Sequence, residues 1–555
     1  MSSPPTLTGA QVLARALKLQ GVTAVFGIVG IPVVDVAEAI QAEGIRFLSF
    51  RNEQSCSYAA SAWGYLTQTP GVCLVVSGPG VVHALAGLVN SQVNTWPLVL
   101  IGGSCETTLE GSGAFQECKQ VEMCRPYTKY AERPPTAQHI PLVVERAFRH
   151  ALVGRPGASY IDLPADYIQG HVAAETVLAS VYARPVFAQA DPADIARAAE
   201  LLSSAKRPLI IVGKGAAYAR AEEEVRGLVD VYQAPFLPTP MGKGVVPDGH
   251  PRNASSARSL ALKSADVILV LGARLNWILH FGRRFHPQAK IVQVDVCAEE
   301  IGTTGQVEVA LQGHLPLVVR QLTQALKAPF VENPDANDYV QALVGHAAAN
   351  AQKQEAKYHS SALPMTYHRA FYEIKQKLPE DVVLISEGAN TMDIARTVYD
   401  FQEPRRRLDC ATFANMGVGL GFAIAAQVHY PEAHVVAIVG DSAFGFSAME
   451  LETAVRSHLP LVIIVINNNG IYFGLEQHEY EELERQGRLP ATALRPDIRY
   501  EMFAEAVGGK GYLVSTPEEL SKAVEASLQH KGLSLINCLI APGGYQKLDF
   551  AWMAK

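Results

Sequence analysis

Residues 440–470 read GDSAFGFSAMELETAVRSHLPLVIIVINNNG, and this stretch decides the fold. The apolar run HVVAIV (434–439) ends in Gly440-Asp441-Ser442. A helix-like segment follows, and a second apolar run, LVIIVI (461–466), ends in Asn467-Asn468-Asn469-Gly470. Two continuous apolar runs separated by a helical length predict strand, tight turn, helix and parallel strand. A parallel pair puts both loops at the same carboxyl edge of one sheet, where open α/β sheets bind ligands. Asp441 then offers a carboxylate oxygen, Asn468 an amide oxygen and Gly470 a main-chain carbonyl. Hard oxygen donors of this kind suit Mg²⁺, which takes octahedral sites shared with phosphates and water.

The same alternation runs through the rest of the chain. TAVFGIV (23–29), GVCLVVS (71–77), PLVLIGG (97–103) and ASYIDLP (158–164) form a first block. RPLIIVG (207–213), ADVILVLG (265–272) and AKIVQVDV (289–296) form a second. DVVLISEGAN (381–390) opens a third, which closes on LSLINCLI (533–540). Strands apolar throughout, alternating with helices, predict parallel sheets covered on both faces. The fold expected is α/β with three doubly wound parallel-sheet domains, at 1–175, 190–330 and 360–555. Residues 171–190 lack sustained periodicity and read as a joint. Residues 328–362 read as one helix plus linker.

Bulk properties narrow the function. A chain of 555 residues suggests roughly three to four domains by length alone. Hydrophobic residues make up 48% and charged residues 18%, the balance of a protein with large cores. A net charge of −7, with Arg405-Arg406-Arg407 the densest basic cluster, carries no nucleic-acid footprint. No run of about 20 apolar residues spans a membrane. The opening MSSPPTLTGAQ has neither the charged nor the apolar region of a secretory signal. Eight scattered cysteines show no CxxC pair or zinc spacing and read as reduced and structural. The expected location is the bacterial cytoplasm. For a eukaryotic chain it would be the peroxisome, although the final Trp552-Met553-Ala554-Lys555 is not a peroxisomal address.

Gly440-Asp441-Ser442 followed 27 residues after Asp441 by Asn468 resembles the diphosphate-binding motif of thiamine diphosphate enzymes. The resemblance implies three domains of that type: pyrimidine-binding, central Rossmann-like and diphosphate-binding. It also implies two cofactors, thiamine diphosphate and Mg²⁺, with Asp441, Asn468 and Gly470 as metal ligands. A glutamate after a strand of the first domain is implied beside the cofactor's aminopyrimidine, where it triggers deprotonation of the thiazolium. Glu53, in IRFLSFRNEQ (45–54), matches that place; read without the resemblance, it is also a carboxylate favoured at a helix N-terminus. Met416 matches the bulky residue that holds the cofactor bent. Gly388-Ala389-Asn390 fits a loop touching the cofactor, and Gly440, Ser442, Ala443, Ile471 and Tyr472 flank the metal ligands.

A narrower resemblance is to the 2-hydroxyacyl-CoA lyases and the related oxalyl-CoA decarboxylases. It rests on GIVGIP (27–32), FRNEQ (50–54), PTPMGKGVVPD (238–248), GARLNWILHFG (272–282), EGANTMDIART (387–397) and GDSAFGFSAMELET (440–453). The two families differ at Phe115-Gln116, where the decarboxylases carry Tyr-Glu. The resemblance therefore implies a lyase that cleaves 2-hydroxyacyl-CoA to formyl-CoA and an aldehyde, or condenses them. Oxalyl-CoA decarboxylase is the alternative. Neutral Gln116 both donates and accepts hydrogen bonds, and is expected to contact the substrate hydroxyl or the thioester oxygen. Ile31 and Phe115 are expected at the substrate pocket, and Arg258 and Arg396 at the CoA phosphates. Gly213-Lys214-Gly215 and Arg274 mark a place where the central domain could hold ADP. Gly543-Gly544 is expected to hinge a C-terminal tail that closes over the site. Family sites form between two chains, so the resemblance implies a homodimer at least and commonly a homotetramer.

Overall fold

The computed structural model describes residues 6–544 apart from 178–179, 183–185, 328 and 331–335. The closing tail expected beyond Gly544 lies outside the described residues. Among those described, the strands form three parallel sheets and one short antiparallel pair. The N-terminal sheet has six strands, in the order Arg46–Ser49, Ala24–Gly27, Gly71–Val75, Leu98–Ser104, Ala158–Pro164, Tyr130–Glu132. The central sheet has five: Phe236–Pro238, Pro208–Val212, Val267–Leu271, Lys290–Asp295, Val309–Gln312. The C-terminal sheet has six: Arg407–Leu408, Val383–Glu387, Val435–Gly440, Leu461–Asn467, Ser534–Leu539, Lys510–Val514. Helices cover them, as continuous apolar strands require.

The deciding stretch folds as its pattern predicts. Val435–Gly440 pairs in parallel with Leu461–Asn467, with Gly440 opposite Ile466, so Asp441 and Asn468 leave the sheet at the same edge. The joint at 171–190 holds an element the sequence does not reveal. His171–Ala173 pairs antiparallel with Thr6–Thr8 and ties the end of the first block to its beginning. Three residues are too few to carry a periodic signal. The polar stretch after the central sheet contains the helix Ala336–Tyr358.

The outer blocks share one core. Helix Glu53–Thr67 packs on helix Gly419–His429, and a Cβ at Gly421 would lie 2.6 Å from the Ser55 carbonyl oxygen, so only glycine allows this approach. Polar bonds stitch the same seam. Asn94 donates to the Cys410 carbonyl (3.0 Å), and Asn415 donates to the Tyr58 hydroxyl (2.7 Å). The central sheet keeps a separate core around Ile210, Leu269 and Val292.

Candidate active site

A cavity of about 610 Å³ opens at the carboxyl edge of the C-terminal sheet. Ala389, Asn390, Met416, Gly440, Asp441, Ser442, Ala443, Asn468, Gly470, Ile471 and Tyr472 all line it. Residues spread over more than eighty positions of sequence therefore meet at one place. They do so because four parallel strands, Arg407–Leu408, Val383–Glu387, Val435–Gly440 and Leu461–Asn467, deliver their following loops to one edge.

The loop geometry is tight. Gly470 and Gly474 admit no side chain: a Cβ at the first would lie 2.2 Å from the Phe473 carbonyl oxygen, and at the second 2.0 Å from that of Asn468. Asn469 and Tyr472 adopt left-handed backbone at φ 60° and 75°. The Tyr472 carbonyl accepts from Asn390 (2.9 Å) and Asn468 (3.3 Å), which joins two of the lining loops. The Asp441 carboxylate is buried and accepts from the Ser442 and Gly470 amides at 2.7 and 3.1 Å. Burial outweighs those bonds and pushes its pKa up to about 6. A buried carboxylate held only by amides, beside an asparagine side chain and a glycine-rich turn, is a donor set that a hard divalent cation fits.

Below the cavity, Glu387 ends its strand fully buried and accepts from the Gly417 and Gly419 amides, the latter at 2.7 Å. Desolvation pushes its pKa up to about 7 against those bonds. Its carboxylate fastens the turn that presents Met416 to the cavity. The sequence reading missed this residue, although its place at the end of an apolar strand was visible. Glu387→Ala strands two buried amides, each at a cost of about 1–3 kcal/mol. The expected result is a drop in unfolding midpoint by urea titration, with a smaller drop for Glu387→Gln, which keeps an acceptor.

Glu53, Gln116, Ile31 and Phe115 do not line this cavity. They sit at the carboxyl edge of the N-terminal sheet. Glu53 opens helix Glu53–Thr67 behind Asn52, whose side chain caps the helix by accepting from Gln54 (2.8 Å). Glu450, buried in the C-terminal block, accepts from the Arg51 amide (3.3 Å) and from the Thr453 hydroxyl (2.6 Å). It thereby clamps the backbone just before Glu53. His83 Nδ1 lies 3.2 Å from Glu53 Oε2. Gln116 has left-handed backbone (φ 56°), and its side-chain oxygen accepts from the Ser77 hydroxyl (3.0 Å). Ile31 and Phe115 are three-quarters exposed. Neither Glu450 nor His83 was singled out from the sequence.

The two arginines are differently placed. Arg396 pairs with Asp393 (2.8 Å) and Asp409 (3.3 Å), so its charge is already compensated at the cavity's rim. Arg258 donates to the Ile278 carbonyl (2.8 Å), and its pKa is lowered by burial and by the nearby charges of Arg284 and Arg396. Arg396 also lies over the ring of Trp277 in the cavity wall, 5.9 Å from its centroid.

A second cavity, of about 690 Å³, lies against the central sheet and is lined by Lys214, Gly215, Gly272, Arg274 and Asp295. Lys214 donates to the Asn94 carbonyl (2.5 Å) and Arg274 to the Val93 carbonyl (2.9 Å), so both cations brace the first block.

Models of the thiamine pyrophosphate enzyme family match three parts of the chain: the N-terminal TPP binding domain at 7–123, the central domain at 195–322 and the C-terminal TPP binding domain at 387–538. The chain belongs to the thiamine pyrophosphate enzymes, in the branch that contains the 2-hydroxyacyl-CoA lyases and oxalyl-CoA decarboxylase. It is 47% identical to human 2-hydroxyacyl-CoA lyase 1, over 100% of this chain and 98% of that protein. It is 40% identical to the 2-hydroxyacyl-CoA lyase of Saccharomyces cerevisiae, over 99% of each. To the oxalyl-CoA decarboxylase of Escherichia coli K12 it is 39% identical, over 96% of this chain and 95% of the relative.

Proposed function

We propose that the chain is a thiamine diphosphate- and Mg²⁺-dependent 2-hydroxyacyl-CoA lyase. One observation carries this reading: end to end, the chain is 47% identical to a protein named 2-hydroxyacyl-CoA lyase 1, against 39% to one named oxalyl-CoA decarboxylase. The reaction cleaves the C1–C2 bond of a 2-hydroxyacyl-CoA. The carbon bearing the hydroxyl leaves as an aldehyde, and the thioester carbon takes up a proton to leave as formyl-CoA. Run backwards, formyl-CoA adds to an aldehyde.

Bound thiamine diphosphate supplies the electron sink for the broken bond. Asp441, Asn468 and the Gly470 carbonyl would hold Mg²⁺. Ser442, Ala443, Ile471 and Tyr472 would wall the diphosphate, Gly388-Ala389-Asn390 would touch diphosphate and pyrimidine, and Met416 would hold the cofactor bent. The Glu53 carboxyl would exchange a proton with the aminopyrimidine. Gln116, oriented by Ser77, binds the substrate hydroxyl or thioester oxygen, with Ile31 and Phe115 as the apolar wall. Arg258 and Arg284 attract the CoA phosphates, with Arg396, paired with Asp393 and Asp409, beside Arg258.

Glu53 and the cavity belong to one site in this reading only when two chains face each other. Ile31 and Phe115 on one edge, and Phe413, Phe446, Met449 and Ile471 on the other, are large apolar residues left exposed by a single chain. Their exposure in a single chain supports a homodimer, and pairing of dimers a homotetramer. For the central domain we propose ADP in the second cavity. Its sheet order places that cavity at the switch between Pro208–Val212 and Val267–Leu271, and Asp295 ends the next strand where a ribose hydroxyl is recognised.

Gln116→Glu tests the substrate assignment. A carboxylate beside a neutral 2-hydroxyacyl group costs about 1–3 kcal/mol, so kcat/KM for 2-hydroxyacyl-CoA is expected to fall about tenfold or more. Unchanged kcat/KM would remove Gln116 from substrate recognition.

A further inference from the structure

Glu53 is not alone at the edge of the N-terminal sheet. Helices Glu53–Thr67 and Pro79–Asn94 lie against each other so closely that a Cβ at Gly87 would sit 2.1 Å from the Ser57 hydroxyl. One turn earlier on each helix are His83 and Glu53, so the register that brings Gly87 onto Ser57 also brings the imidazole onto the carboxyl. His83 Nδ1 is 3.2 Å from Glu53 Oε2. In a single chain the carboxyl is 16% exposed and the imidazole 62%, so one end of the pair is sheltered and the other faces the gap between the two edges of the site. Other charged groups around this helix start are Arg51, whose amide is held by Glu450, Glu450 itself, and Arg456, which donates to the Ser49 carbonyl (2.6 Å) and pairs with Glu452 (2.8 Å).

We propose that His83 is the proton-exchange partner of Glu53, moving protons between that sheltered carboxyl and the open part of the site. Protonation of Nε2 from water lets the Nδ1 proton pass to Glu53 Oε2. In the reverse direction the carboxyl proton passes to Nδ1 and the Nε2 proton leaves to water. One proton crosses per passage and no other bond changes. Histidine suits the task because its ordinary pKa lies near neutrality. The proposal rests on membership of the thiamine pyrophosphate enzymes and on Glu53 as the proton donor to the cofactor. It does not depend on which acyl-CoA is cleaved.

The test uses the full chain with His83 changed to Asn or to Gln. Affinity for thiamine diphosphate with Mg²⁺, measured by calorimetry on the cofactor-free protein, is expected to match wild type. The rate at which the C2 hydrogen of the bound cofactor exchanges with deuterium, read by NMR after acid quench without any acyl-CoA, is expected to fall about 100-fold. Added imidazole is expected to restore part of that rate. Exchange at the wild-type rate in both variants would overturn the proposal. So would loss of cofactor affinity, which would make His83 a binding residue instead. Because no acyl-CoA is present, an error in the lyase reading leaves this result untouched, and normal exchange with failed lysis would count against the lyase reading alone.

Discussion

Asp441→Ala is expected to lose thiamine diphosphate without losing its fold. In the cofactor-free protein the Asp441 carboxylate is buried, held by two amides and pushed up to about pKa 6 by desolvation. Removing it relieves that desolvation but strands the Ser442 and Gly470 amides, each at a cost of about 1–3 kcal/mol, so the melting temperature of the cofactor-free protein should fall modestly. With Mg²⁺ and thiamine diphosphate the gap to wild type widens. Wild type gains stability with the logarithm of ligand concentration over Kd, about 2.7 kcal/mol at a hundred times Kd. The variant lacks the charged metal ligand, and loss of one partner of a buried charge pair costs about 3–5 kcal/mol. Affinity should therefore fall by at least about a hundredfold. Thermal scans with and without cofactor check both halves. An Asp441→Ala protein that is stabilised by cofactor as wild type is would remove Asp441 from the metal site.

Glu53→Gln is expected to behave in the opposite way: cofactor bound, turnover lost. Glu53 does not line the 610 Å³ cavity, so diphosphate affinity should persist. Loss of a positioned proton donor costs about 10²–10⁴ in rate, measured as kcat with saturating cofactor. The two variants together also test the shared site. In a mixed dimer of Glu53→Gln and Asp441→Ala chains, one site holds both defects and the other holds neither. Random reassociation should restore about a quarter of wild-type activity. No recovery would place Glu53 and Asp441 in one chain's site.

The sequence made the C-terminal sheet and its loops legible because their signal is long and local. Six-residue apolar runs ending in Gly-Asp-Ser and Asn-Asn state both the strand and the loop chemistry. Short edge strands such as Tyr130–Glu132, Arg407–Leu408 and His171–Ala173 are set by neighbours distant in sequence and leave no periodic trace. The same distinction separates the site residues. Asp441, Asn468 and Glu53 stand in recognisable motifs. His83 and Glu450 matter through contacts with Glu53 and with the backbone before it, and 30 and 399 residues of chain separate the bonded pairs. Arg396 is expected from sequence at the CoA phosphates, and only the fold reveals Asp393 and Asp409 around it. Glu387 was read past as part of EGAN, because its partners, the Gly417 and Gly419 amides, belong to a turn thirty residues on.

The central claim is a lyase acting on 2-hydroxyacyl-CoA, and product analysis meets it most directly. The purified chain, with thiamine diphosphate and Mg²⁺, is offered 2-hydroxyacyl-CoA and oxalyl-CoA in parallel, and thioesters, aldehydes and CO₂ are quantified. Equal amounts of formyl-CoA and the aldehyde one carbon shorter, from 2-hydroxyacyl-CoA, are the predicted result. Formyl-CoA and CO₂ from oxalyl-CoA, with 2-hydroxyacyl-CoA left intact, would contradict it and make the chain a decarboxylase.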